Sequence, residues 1–290
     1  RLERDGAKTA LVTTQGFRDV LEIARQDRPD LYDLDATKPD PLVPRNRRFE
    51  IDERATTDGV EQPVDADDVR ETARMIAATD TESVAVCLLH AYAHPENEQR
   101  VAEVLREELD VPVSASHEVL PEFREFERTA TTAVDAYVTP AIEGYLSHLT
   151  EQAGEAGVPE PRVMQANGGT AAADTVSERA VSTVLSGPAA GVVGAAATAA
   201  DPAVRAADVA AAATDAAVTA QPSVVTFDMG GTSSDVSLVR DGAAERTTEA
   251  DIDGVPIRTP MVDVTTVGAG GGSIAWVDSG GALRVGPESA

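Results

Sequence analysis

Apolar and polar positions follow two different periods along the first half of the chain. Thr9-Ala10-Leu11-Val12-Thr13-Thr14 is an apolar run of strand length, and Gly16 leads into a helical pattern over residues 17–26. Four prolines between Pro29 and Pro44 predict an extended connection. Asp65 predicts a helix cap, because its carboxylate can accept a free amide and the acids of Ala66-Asp67-Asp68 suit the positive helix end; the helix then runs to about Ala78. Residues 83–89 predict a buried strand, Pro95-Glu96 opens a helix to about Leu109, and residues 111–114 predict another short strand. Strands and helices alternating at this spacing predict α/β units with crossover connections.

The longest helical pattern starts at Pro121 and continues through Phe123, Phe126, Ala130, Val134 and Tyr137. Pro140 predicts an interruption, after which the pattern resumes to about Gln152 and ends at Gly154, Gly157, Pro159 and Pro161. Residues 162–165 predict a strand running into Asn167-Gly168-Gly169. Residues 195–220 hold 15 alanines among 26 and predict a helical pair around Pro202. From Ser223 onward the pattern changes to short β segments separated by glycine turns, and no tandem repeat occurs.

Composition narrows the possible partners. The 290 residues include 50 acids against 24 bases, a formal charge of −26, so phosphate backbones and anionic lipid surfaces are repelled. Nucleic acid and membrane are therefore not expected as partners. Only Lys8 and Lys38 are lysines; the acid excess predicts a protein kept soluble in a salt-rich cytoplasm, as in a halophilic archaeon. The cluster Arg45, Arg47, Arg48 beside Pro44 is expected to be a solvated loop rather than an anion site. The single cysteine, Cys87, excludes an internal disulfide and is expected to be an inert core thiol. No apolar run is long enough for a membrane-spanning helix. The chain opens Arg1-Leu2-Glu3-Arg4 without Met, and the expectation is an internal piece of a longer subunit.

Three segments have the composition of a phosphate site. In the first, two apolar strands flank Asp228-Met229-Gly230-Gly231-Thr232-Ser233-Ser234-Asp235. Gly230 and Gly231 permit positive φ and close approach to the backbone amides, Thr232, Ser233 and Ser234 add hydroxyl donors, and Asp228 at the strand end suits Mg²⁺ beside a triphosphate. A plain hairpin with an Asp/Gly turn has the same signature. In the second, Ser186-Gly187-Pro188 resembles a capped helix start whose free amides favour an anion, with Gly191 and Gly194 suiting close packing. The third, Val267-Gly268-Ala269-Gly270-Gly271-Gly272-Ser273, precedes a strand-like run, Ile274-Ala275-Trp276-Val277; the helix a dinucleotide loop requires is missing, which leaves a flexible loop closing over a ligand. Neither lysine follows a glycine, so the Walker pattern is absent, and His90, His94, His117 and His148 form no metal pattern.

Taken in order, residues 6–14, 16–23 and 164–169, the Ser186-Gly187-Pro188 turn, Phe227-Asp228-Met229-Gly230-Gly231-Thr232 and residues 267–273 resemble the ATP-dependent hydantoinase A/5-oxoprolinase family over the whole chain. The resemblance implies an α/β, actin-like (ribonuclease-H-like) ATPase fold, incomplete here, with residues 1–118 as the remainder of the N-terminal hydantoinase/oxoprolinase region and residues 119–290 as the first part of the ATPase region. It implies ATP and Mg²⁺ as cofactors and a small cyclic amide, a hydantoin or 5-oxoproline, as substrate, opened after phosphorylation of its carbonyl oxygen. It also implies a B-type partner subunit, an oligomer and a cytoplasmic location. Carried over, Asp228 is the catalytic and metal-binding residue. Gly230, Gly231, Thr232, Ser233, Asp235, Asn167, Gly168, Gly169, Ser186, Gly187, Gly270 and Gly271 surround the phosphates. The family's first phosphate loop has no counterpart in these residues, and Thr265 stands where members often carry His. A ketone carboxylase of the same phosphorylation logic and a catalytically silent nucleotide-binding or assembly module are the alternatives.

Overall fold

The computed structural model describes residues 5–27, 31–33, 35–201, 223–252 and 254–290. The expected helical pair around Pro202 falls mostly on residues outside this set. The chain forms two compact units. The first comprises Arg1–Arg162, Ala172–Val181 and Glu249–Thr259; the second comprises Val163–Ala171, Ser182–Thr248 and Pro260–Ala290. Elements are numbered along the whole chain.

The first unit is built on a four-stranded, all-parallel sheet of β1 (Thr9–Thr14), β2 (Arg48–Ile51), β5 (Ser83–Cys87) and β6 (Val113–Ala115), in the order β2-β1-β5-β6. β1 and β5 are buried along their whole length, as continuous apolar runs in a parallel sheet should be. Two short strands, β3 (Arg54–Thr56) and β4 (Gly59–Gln62), form a hairpin after β2. Helices α2 (Ala66–Ala77) and α3 (Glu96–Glu108) supply Val69, Ala73, Ile76, Val101, Val104 and Leu105 to one core layer with Val12, Val84 and Val86. Asp65 caps α2 through Asp67 N at 2.9 Å, an interaction worth about 1 kcal/mol. Cys87 is buried with its thiol pushed up by burial, which fits an inert core role.

Three expectations are corrected here. The helix expected over residues 17–26 is a single turn, α1 (Val20–Ile23), because Ala24 and Gln26 take φ of 51° and 55° and end it. The arginine cluster is not a solvated loop: Arg48 is 4 % exposed, with Nε donating to Val43 O at 2.9 Å and Nη2 to Glu22 at 3.0 Å, while Arg45 pairs with Asp19 and Arg47 with Asp80. The long helix α5 (Glu125–Glu155), which follows the short α4 (Ser116–Val119), starts four residues after Pro121, leaves Phe123 exposed and passes through Pro140 unbroken. Ten successive residues, 127–136, are buried just before the proline, so packing on all sides outweighs its cost of about 3 kcal/mol. The helix ends as the glycines predict, with Gly157 at φ 68°, Gly157 N donating to Gly154 O and Val158 N to Ala153 O. Among the described residues, no helix is long and apolar enough to cross a membrane. A further helix, α6 (Ala173–Ser177), and a hairpin of β13 (Ala250–Ile252) with β14 (Val255–Ile257) complete this unit.

The second unit is mainly β, as the change of pattern at Ser223 predicts. β7 (Val163–Met164) and β8 (Thr170–Ala171) form a hairpin, and α7 (Ser186–Ala200) follows. β9 (Val224–Met229) pairs antiparallel with β10 (Ser234–Arg240), which also pairs with β11 (Ala243–Ala244) and β16 (Thr265–Val267). β12 (Arg246–Thr247) pairs with β15 (Met261–Val262), and β17 (Ser273–Val277) with β18 (Leu283–Ser289). Ala189 and Val192 of α7 pack against Val239 and Val262.

Candidate phosphate site in the second unit

Residues 228–235 form an antiparallel hairpin, with Met229 opposite Ser234 and Asp228 opposite Asp235. The turn is closed by Gly230 N donating to Ser233 O at 2.9 Å. Direct opposition places the two carboxylates on one face of the sheet, where like charges repel unless a cation lies between them. Asp235 accepts from Thr266 Oγ1 at 2.6 Å, so a hydroxyl on β16 continues the row. Among the described residues the Asp228 side chain has no hydrogen bond or ion pair, and the residue is exposed. An unpaired carboxylate beside a second one matches the one or two carboxylates that Mg²⁺ takes when phosphates and waters complete its shell. Among the described residues no cluster of three or more His, Cys, Asp or Glu could hold a metal unaided.

The loop after β16 lies directly on this turn. Gly271 N donates to Gly230 O at 2.9 Å and Gly272 N to Gly231 O at 2.7 Å, while Ser234 Oγ donates to Ala269 O at 2.7 Å. Gly270 is the position that demands glycine: a Cβ there would sit 2.6 Å from Gly230 O and 2.7 Å from Ser233 N. Gly230 and Gly231 do not use the positive φ that glycine permits, and an added Cβ at Gly231 meets open space. The expected strand after the loop is β17, and the loop itself is tied to the turn by backbone hydrogen bonds.

Helix α7 reaches the same place. A Cβ at Gly191 would lie 3.2 Å from Asp228 Oδ2, so the bare backbone of the helix faces the carboxylate. Ser186 and Gly187 occupy the first turn, where amides lack intrahelical acceptors, and Gly187 is exposed. Ser186 does not cap the helix. Leu185 holds the cap position at φ 61° and makes no side-chain capping bond. Asn167, Gly168 and Gly169 form the tip between β7 and β8: Asn167 Oδ1 accepts from Gly169 N at 2.7 Å, and Gly168 takes φ 81°. Gly168 packs against α7, with an added Cβ 2.9 Å from Val193. The structure thus brings the Asp228 turn, the Gly270 loop and Gly191 of α7 into contact, while Asn167–Gly169 meets the same helix.

The first unit holds functional-looking groups with no sequence signal. Glu98 is fully buried and accepts from Leu88 N at 2.7 Å, Ser116 Oγ at 2.8 Å and His117 Nδ1 at 2.8 Å. Arg128 is 1 % exposed, donating to Ser116 Oγ and Leu88 O at 2.8 Å each. Asp135 accepts from Ser114 Oγ at 2.7 Å and Val181 N at 2.8 Å, and its burial pushes the carboxyl up. These partners come from distant segments, so no local spacing announces them. His94 bonds Thr57 O, and His148 is exposed, as expected of structural or solvated histidines.

Known proteins resemble both the sequence and its fold. The profile described as hydantoinase/oxoprolinase matches residues 128–290, and that of the hydantoinase/oxoprolinase N-terminal region matches residues 2–109. Caprolactamase subunit alpha of Pseudomonas jessenii is 36 % identical over all of this chain and 40 % of its own. The crystal structure of that ATP-dependent caprolactamase superposes with a TM-score of 0.80 at 34 % identity, again over 100 % of this chain and 40 % of the other. The 5-oxoprolinase of Saccharomyces cerevisiae is 34 % identical over 100 % of this chain and 23 % of its own length. Nucleotide-free acetone carboxylase superposes with a TM-score of 0.75 at 30 % identity, covering 99 % of this chain and 40 % of that one. The chain therefore spans about two fifths or less of these relatives. With one family profile covering more than half of the residues and its N-terminal companion covering most of the rest, the chain belongs to the hydantoinase/oxoprolinase family.

Proposed function

We propose that this chain forms part of an ATP-dependent amidohydrolase that opens a cyclic amide, with the second unit holding the nucleotide phosphates. The observation that supports this most is the stacking of the Gly270 loop on the Gly230 turn beside the facing pair Asp228 and Asp235. In this reading the antiparallel β9–β10–β16 sheet, with α7 packed against it, is the start of an actin-like lobe. The amides of Gly230, Gly231, Gly270 and Gly271 and the hydroxyls of Thr232 and Ser233 surround the phosphates. Asn167–Gly169, Ser186 and Gly187 border them. Asp228 and Asp235 would hold Mg²⁺, which when bound neutralises phosphate charge. Among the described residues, exposed Asp228 meets no competing cation, which suits its carboxylate to that role.

The chemistry asked of the site is positioning and charge neutralisation. The γ-phosphoryl group passes to the carbonyl oxygen of the cyclic amide and ADP leaves. Water adds to the activated carbon, the C–N bond opens to leave an amine and an acyl phosphate, and a second water hydrolyses the acyl phosphate to carboxylate and free phosphate. The relatives named as subunits favour a partner chain in the active assembly, here a B-type subunit. ADP release by the native protein, purified with its partner chains, should depend on a hydantoin, 5-oxoproline or another lactam and should disappear in Asp228→Ala; undiminished turnover in that variant would remove Asp228 from the mechanism.

A second reading has its own support. Acetone carboxylase shares the fold, and the acetophenone carboxylase gamma subunit of Aromatoleum aromaticum is 33 % identical over the whole chain. In it the phosphoryl group passes from ATP to the enolate oxygen of a ketone with loss of ADP, bicarbonate dehydrates to CO2, and the enol carbon attacks that CO2 while water takes the phosphoryl group off the oxygen as phosphate. ADP release that requires acetone or acetophenone with bicarbonate, and ignores lactams, selects it.

A further inference from the structure

Strand β10 lies between β9 and β16, and the register of the two antiparallel pairs sets one residue of each strand in a row: Asp228, Asp235 and Thr266. Directly opposed residues of neighbouring strands share a face, so the three side chains stand on one side of the sheet. It is the side on which Val239, four residues along β10, packs against Ala189 and Val192 of α7. Thr265 pairs with Val236, so its side chain belongs to the opposite side.

Thr266 Oγ1 donates to Asp235 Oδ1 at 2.6 Å in an exposed bond. The strands do not need it to stay together. Backbone pairing of residues 234–236 with 265–267 already joins β10 to β16. Ser234 Oγ donates to Ala269 O at 2.7 Å and Ser237 Oγ to Asp263 O at 2.6 Å, which pins β10 on either side of Asp235. What the Thr266 bond sets is the direction of the Asp235 carboxylate. Asp228 repels that carboxylate from the neighbouring strand, and without a donor it would turn to any rotamer that relieves the repulsion. With Oδ1 held toward β16, Oδ2 is the oxygen left without a hydrogen-bond or ion-pair partner among the described residues. Threonine suits this task, because its branched Cβ restricts χ1 and keeps the hydroxyl aimed.

We propose that Thr266 is a positioning residue, which fixes Asp235 so that its free oxygen and the Asp228 carboxylate serve one divalent cation bound with the nucleotide. The cation belongs to the function proposed above, and this role rests on that reading. The part given to Thr266 rests on the strand register and its bond to Asp235. Thr266 acts through Asp235 alone, and Thr265, on the other side of the sheet, has no share in it.

Calorimetric titration of the native protein, purified with its partner chains, with MgATP and with ATP in EDTA tests this. The ratio of the two affinities reports the cation, whereas a general loss of structure lowers both. The wild type should favour MgATP. Thr266→Val keeps the side-chain shape and removes the hydroxyl; it should cut that preference at least about fivefold, the size of one hydrogen bond. Thr266→Ser should restore most of it, and Thr265→Val should match the wild type. In an Asp235→Asn background Thr266→Val should cause no further loss, as for two residues acting through one group. Thr266→Ala decides the matter if Thr266→Val does not fold. An undiminished preference without the hydroxyl, a serine variant as poor as the valine one, or additive losses in the double variant would overturn the proposal. If Asp228→Asn still abolishes the preference in that case, the phosphate site stands without Thr266. A wild type that binds MgATP no better than ATP removes the cation from the site and this role with it.

Discussion

Asp228 and Asp235 form a pair that opposes stability and that the proposed function assigns to cation binding. Facing carboxylates on neighbouring strands repel, and among the described residues only Asp235 of the two has a hydroxyl donor to offset this. Asp228→Asn should therefore raise the thermal midpoint of the ligand-free protein slightly while removing any MgATP-induced rise. A variant destabilised without ligand would show that the carboxylate is structural. Asp135 provides a separate test by pH. Its burial holds the folded carboxyl above the usual value near 3.9, against the favourable bonds from Val181 N and Ser114 Oγ. Over the window from about pH 4 up to that raised value the folded state keeps more protons than the unfolded chain, so this group's contribution to stability falls as pH rises. Denaturant titrations should show Asp135→Asn gaining on the wild type across that window; a difference independent of pH would contradict the assignment.

Two glycines carry the predictions at the scale of elements. Gly191 lies inside α7, where alanine is favoured by about 0.5–1 kcal/mol, and its nearest obstacle is the movable carboxylate of Asp228. Gly191→Ala should stabilise the unit while weakening MgATP binding, because the methyl group crowds the carboxylate proposed to hold the cation. Loss of stability would mean the helix cannot accept it. Gly270→Ala meets the backbone of residues 230–233 at under 3 Å and should cost about 1–3 kcal/mol by prising the two loops apart, measured by denaturant unfolding.

Much of this was legible in the chain. β1, α2, β5 and α3 followed from apolar period and the Asp65 cap, and the Asp228 turn from an acid and two glycines at a strand end. Local patterns failed where tertiary packing decided the outcome. Ala24 and Gln26 carry no signal for positive φ, and Pro140 sits in a helix that burial keeps intact. Glu98, Arg128 and the Arg25–Glu127 pair are polar residues whose partners lie far along the chain, and charge alone would place them on the surface.

At the scale of the whole molecule, the segments 172–181 and 249–259 return to the first unit after the chain has left it, an interleaving that no local period encodes. The charge of −26 acts on the molecule as a whole. Self-repulsion should weaken the folded state at low ionic strength, where screening extends beyond about 10 Å, and added KCl should raise the unfolding midpoint as that length falls to about 3 Å near 1 M. A midpoint unaffected by salt would show that the acids are dispersed enough to be harmless. The same field disfavours a polyanionic nucleotide, so in the proposed reading the glycine amides and a cation between Asp228 and Asp235 would have to overcome it locally.

Amide NMR of the 290-residue protein titrated with MgATP, in wild type and Asp228→Asn, tests that claim most directly. The account predicts shifts concentrated at Gly230, Gly231, Thr232, Gly270 and Gly271 in the wild type, and their loss in the variant. Shifts located elsewhere, or the same shifts in both proteins, would contradict it.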